Sequence, residues 1–250
     1  MKQYDGNENN LPQVNNLFVG GIPPFLFFEM QCHSLFYLVE SHKNDPYYKD
    51  INPAIEVATI GLIAHFEAFC KHHFAALINL NPELLVEFCK KRDEPKIEIS
   101  TIISFIDKIE SYLGFIISEH YDFGSGKLIN GLFRDLLMVT PFSEKEAQLF
   151  DEILQKRNLL VHHAGYFTLQ HLKKNKMLQT KVDFEFRDAV KITTEDFQEI
   201  WDFLFDMGVK IVRSTVSKLN ADMKKNATLT SFQIDAFENF YNGLYDSLEE

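Results

Sequence analysis

Residues 53 to 80, PAIEVATIGLIAHFEAFCKHHFAALINL, constrain the fold of this chain more than any other stretch. Asn52 and Pro53 supply a cap and a first-turn proline ahead of it. The run that follows is apolar nearly all round rather than along one stripe, so it reads as a helix that other elements must surround. The chain has 250 residues, 46% of them hydrophobic, which is enough to build a core around such a helix. Its 24 Phe fall mostly in periodic segments, while only 11 Gly and 8 Pro mark turns. That balance favours helices over many short strands. The expected class is all-α, a helical bundle with an N-terminal extension and an extra C-terminal helix.

The remaining segments divide around that helix. Residues 1–22 are rich in Asn and Gln and read as a polar leader that need not be ordered. Residues 23–50 form a helical extension opened by Pro23 and Pro24, residues 51–225 the bundle, and residues 226–250 a terminal segment with a helix over about 231–248. Ile102, Ile103, Ile106, Ile109, Leu113, Ile116 and Ile117 keep helical spacing, which predicts one amphipathic helix from Ile99 to the break at Gly124-Ser125-Gly126. Ser143 to Glu146 fit a capping box that launches a further helix, with Gly165 as its stop. Residues 181–192 alternate as a short hairpin or extended connector. Thr193 or Thr194 then caps a long helix through Phe197, Trp201, Leu204 and Ile211.

Several function classes find no support. No basic segment followed by an apolar one opens the chain, and no run of 18 apolar residues occurs, so neither a signal peptide nor a membrane span is indicated and a cytoplasmic location is expected. Cys32, Cys70 and Cys89 lack CxxC spacing and read as reduced, buried thiols. His65, Cys70, His72 and His73 invite a metal reading, but His65 and His72 share a face two turns apart with no matching third ligand nearby, so no metal site is expected. Phosphate-binding, dinucleotide-binding and serine-hydrolase signatures are missing, and no cofactor is implied. The net charge of -11 argues against general coating of nucleic acid. One window departs from it: from Ile153 to Val182 there is no Asp or Glu, whereas Lys156, Arg157, Lys173, Lys174, Lys176 and Lys181 carry six positive charges.

That window begins with KRNLLVHHAG, residues 156–165. On a helix, Phe150, Ile153, Leu154, Val161 and Ala164 form one apolar stripe, and Arg157 falls in its middle. A guanidinium there must be paired with a carboxylate from another helix or must face something wetter than a core, because an isolated buried charge costs several kcal/mol. Asp151, Gln155, Asn158 and His162 share an edge of the stripe, with Asn158 and His162 at the i, i+4 spacing that lets side chains meet. Glu152, Lys156 and His163 face outward, with Leu159 the apolar exception among them. Tyr166 and Phe167 follow directly, placed to stack on a base or to pack under a loop.

Arg157-Asn158, Leu159-Leu160-Val161 and His162, set late in an all-α chain, resemble the R-N-x-x-x-H signature of the HEPN-domain superfamily. IGLIAHFEAFCKHHF (60–74) is similar to the long early helix of its bacterial members, and VKITTEDFQEIWDFLFDMGVKIV (190–212) to the helix that packs after the motif. The likeness covers residues 51 to 222. It implies a homodimer whose motif helices meet at a cleft, and metal-independent cleavage of RNA rather than DNA. Such proteins act as toxins or abortive-infection effectors controlled by an antitoxin or sensor protein. The site residues implied are His162 as general acid or base, suited because imidazole titrates near neutrality, Arg157 as stabiliser of the developing phosphate charge, and Asn158 orienting His162 or substrate. His163 is a secondary candidate, and Lys156, Lys173, Lys174 and Lys176 are candidates to hold RNA phosphates. The alternative is a catalytically inactive module of the same kind that binds RNA, a nucleotide or a partner protein.

Overall fold

A computed structural model describes residues 14–45, 52–92, 95–174 and 188–244, with the side chains of 107, 110 and 174 left aside. The fold is all-α: α1 (Pro24–His42), α2 (Pro53–Leu80), α3 (Leu84–Cys89), α4 (Ile99–Ser104), α5 (Ile109–Ser118), α6 (Gly126–Leu137), α7 (Glu144–His163), α8 (Leu169–Lys174), α9 (Thr194–Asn226) and α10 (Ser231–Phe240). Among the described residues the sole β-type pairing is an isolated bridge between Tyr166 and Ala189.

α2 is the axis of the bundle. Asn52 accepts from the Ala54 amide to start it, and α1, α5, α7 and α9 all pack on it. By length and composition α2 is also apolar enough to cross a membrane, and here that apolar surface is met by neighbouring helices. Phe66, Phe69 and Phe74 are buried, and their rings meet Phe25 and Phe28 of α1, Phe133 of α6 and Phe150 of α7 at centroid distances of 5.3 to 5.8 Å, mostly edge to face, as the aromatic quadrupole prefers. Cys32 and Cys70 are buried thiols and Cys89 is half-buried. His73, wholly buried, sits with Nε2 2.7 Å from Thr215 Oγ1 of α9. That hydroxyl already donates to Ile211 O, so the imidazole Nε2 donates to it, and complete burial favours the neutral ring. Burial pushes the His73 pKa down to about 3.

Three expectations are corrected. The single helix predicted over 99–123 is two helices: Phe105 leaves helical geometry, a 3₁₀ turn covers Ile106–Lys108, and α5 ends at Ser118. α5 is held where it is by contact with α2, because the Gly114 amide donates to Asn79 Oδ1 at 2.7 Å and a Cβ at Gly114 would lie 2.0 Å from Ala75 O. Among the described residues no hydrogen bond ties α4 to α2 in this way, and Ile99, Ile102, Ile103 and Ile106 are all exposed. The leader is ordered over Val14–Gly21 as 3₁₀ turns. Leu17 and Phe18 are buried there; Asn79 donates to Leu17 O, and Phe18 meets Phe240 at 5.2 Å. The terminal helix stops at Phe240, followed by a turn to Leu244. The predicted hairpin over 181–192 falls mostly outside the described residues; its end, 188–190, runs antiparallel to 165–167 through Phe167 N to Asp188 O and Val190 N to Gly165 O.

Candidate functional site at the end of α7

The capping box predicted from sequence is present: Ser143 Oγ accepts from the Glu146 amide and Glu146 Oε2 from the Ser143 amide. Lys210 of α9 bonds the same carboxylate at 2.7 and 2.8 Å. Despite slight desolvation, the Lys210 and Ser143 hydrogen bonds hold Glu146 at about 2. The start of α7 is thereby tied to α9. Its middle is core: Phe150, Ile153 and Leu154 are buried, with the Phe150 ring edge to face with Phe66 at 5.3 Å and tilted against Phe142 at 5.6 Å.

Arg157 lies at the rim where that packing stops. Its side chain is 24% exposed, and Nη2 donates to Glu67 Oε1 of α2 at 2.8 Å. Nε is buried without an acceptor. The seam arginine is thus paired with a carboxylate from another helix, one of the two outcomes open from sequence. Burial pushes the Glu67 pKa up, and the nearby Asp122 carboxylate adds to that rise, while Arg157 opposes both. Neither Glu67 nor Asp122 emerged from the motif. The available signal was Glu67 itself, a charge set inside the otherwise apolar HFEAFC.

Beyond Arg157 the stripe leaves the protein. Val161 is 46% exposed, and Asn158, His162, His163 and Ala164 are exposed too. Leu159, expected to face outward, is buried along with Leu160, because the chain folds back over that side of the helix. Ala164 and Gly165 take φ of 49° and 81°, and Gly165 N bonds Leu159 O at 2.9 Å, a left-handed stop that turns the backbone. The returning segment, with Phe167, His171 and Ala189 to Lys191, borders a cavity of about 390 Å³ beside Glu152, Gln155 and Lys156. Phe167 stacks on His171 at 5.3 Å and is half-buried, whereas Tyr166 is exposed.

The structure therefore gathers Asn158, His162 and His163 on one exposed turn, with Arg157 at its base. None of Arg157, Asn158 and His162 hydrogen-bonds another within the described residues. Lys156 lies 3.8 Å from Asp196 and is half-exposed, so its charge is partly answered within the chain. Lys173 is exposed on α8. The Lys174 side chain, Lys176 and Lys181 lie outside what the structure describes. No cluster of three metal-ligating side chains occurs among the described residues.

Compared with known proteins, the chain matches no family model, no curated protein and no solved structure.

Proposed function

We propose that the protein is a HEPN-type endoribonuclease that works as a homodimer, a toxin or defence effector of the cytoplasm. One observation carries the reading: α7 is anchored in the core through Phe150 and Leu154 but delivers Arg157, Asn158 and His162 to its exposed end. A titratable ring exposed on a rigid support, with a guanidinium about 140° round the same helix end, supplies within each chain the two groups that general acid–base cleavage of RNA uses, and a second copy is what brings them together in one cleft. His162 takes the proton from a ribose 2′-OH or gives one to the leaving oxygen. Arg157 stabilises charge on the phosphorus oxygens through its remaining N–H donors. The exposed face of Val161 and Ala164 is where a second copy docks, bringing the two motif turns into one cleft.

The test is incubation of the purified protein with RNA in the presence of EDTA. Wild-type protein should cut, and His162→Ala and Arg157→Ala should each lower the rate by roughly 100-fold or more. RNA left intact by the wild type, or cut equally well by His162→Ala, overturns the reading.

The net charge of -11 favours a second reading, a non-catalytic module of the same kind that binds RNA, a nucleotide or a partner protein. Binding of RNA without cleavage in the same assay selects it. Growth inhibition by the wild type that disappears with Arg157→Ala selects the enzyme.

A further inference from the structure

We infer that Glu67, on α2, is a positioning residue of the ribonuclease site, holding the Arg157 guanidinium so that its free edge faces the substrate phosphate. The inference rests on the ribonuclease reading above. Its basis is the geometry of one ion pair. Arg157 uses a single N–H bond to Glu67, from Nη2 to Oε1 at 2.8 Å, and no other acceptor among the described residues bonds the guanidinium. A planar guanidinium carries five donors in a rigid fork, so one bond to a fixed carboxylate orients the plane and leaves Nη1 for a phosphate oxygen.

Both partners are constrained. Glu67 stands on α2, the most enclosed helix of the bundle, one residue from the buried Phe66; its side chain is 23% exposed against 24% for Arg157. An arginine has many rotamers in water, and fixing one in advance removes an ordering cost that would otherwise fall on the reaction. Without Glu67, Arg157 would sit half-buried and unpaired, and its escape to solvent would lose the fixed orientation of the guanidinium.

The charged and titratable groups around Glu67 are Arg157 from α7, Asp122 from the turn after α5, and Cys70 on its own helix. Burial and Asp122 raise the carboxyl above the usual range. As pH falls through that raised range, Glu67 takes up a proton, its hold on Arg157 weakens and turnover declines. A decline of kcat on the acid side while the protein stays folded is a readout that a merely structural contact does not give.

The experiment measures kcat and KM against pH for wild type, Glu67→Gln and Glu67→Ala, using a mixed-sequence single-stranded RNA labelled at its ends. Glu67→Gln keeps the shape and one acceptor oxygen, so it stays informative if Glu67→Ala fails to fold. The expected result is a fall in kcat of roughly 10-fold for Gln and 100-fold for Ala with KM changed less than about threefold, the signature of misorientation rather than lost binding. The acid-side decline in kcat contributed by Glu67 should be absent from Glu67→Gln. Unchanged kcat and pH profile in Glu67→Gln, beside an active wild type, overturn this inference alone. A wild type that cuts no RNA overturns the ribonuclease reading and this inference with it.

Discussion

Phe150 and Val161 lie on the same stripe of α7, and the fold treats them in opposite ways: one is 0% exposed against Phe66 and Phe142, the other 46% exposed near the end of the helix. Two histidines repeat the contrast. His73 is sealed in the core, bonded to Thr215 and neutral, whereas His162 stands in solvent. The difference teaches that residue type does not set the role in this protein. What sets it is whether other elements cover the side chain: the middle of α7 packs on α2, and Val161 and His162 lie past that contact.

The contrast can be broken first at its packed end. Phe150→Ala should cost about 3–5 kcal/mol of stability in urea unfolding, since the surrounding aromatics are too tightly fixed to fill the space. A loss below about 1 kcal/mol would show that the first turns of α7 are no better packed than its tip.

The histidine comparison predicts a pH effect of the next size. Because the folded His73 pKa is lowered to about 3, the unfolded chain binds a proton near pH 6.5 that the native state refuses. Its contribution is therefore complete above about pH 6.5 and declines as pH falls toward 3, by up to roughly 1.4 kcal/mol per pH unit. Denaturation midpoints followed from pH 7 to 4 should show a shallower slope for His73→Leu than for wild type. Identical slopes would mean that this ring is not sealed.

The smallest effects belong to the tip. Val161→Ser and His162→Ala should leave the stability of the monomer within about 0.5 kcal/mol, as surface substitutions usually do. A larger loss, measured at a concentration where the chain is monomeric, would place these side chains in the core after all.

Much of the fold was legible in the chain. The apolar girth of 53–80 implied a central helix, and the Ser143 and Thr193 caps marked where α7 and α9 begin, because local hydrogen bonds decide helix starts. The stripe over 99–117 misled, since periodicity records what a helix can bury and not whether a partner exists. Gly114 against Ala75 O decides where α5 packs, and that contact joins residues distant in sequence. The site shows the same division. Arg157 stood out as a charge on an apolar seam, which left either a carboxylate partner or a wetter surface open, and the structure has the partner, Glu67.

What the amino-acid sequence determined is the helical class, the central helix and the motif that puts Arg157, Asn158 and His162 on one helix, for these depend on periodicity and capping within short windows. Only the tertiary structure decided that Arg157 meets Glu67 across two helices, that Leu159 is buried while Val161 is not, and that Ile99, Ile102, Ile103 and Ile106 stay exposed. Each of those outcomes depends on which surfaces come together, and a side chain separated from its partner by 90 positions leaves no local trace of the pairing.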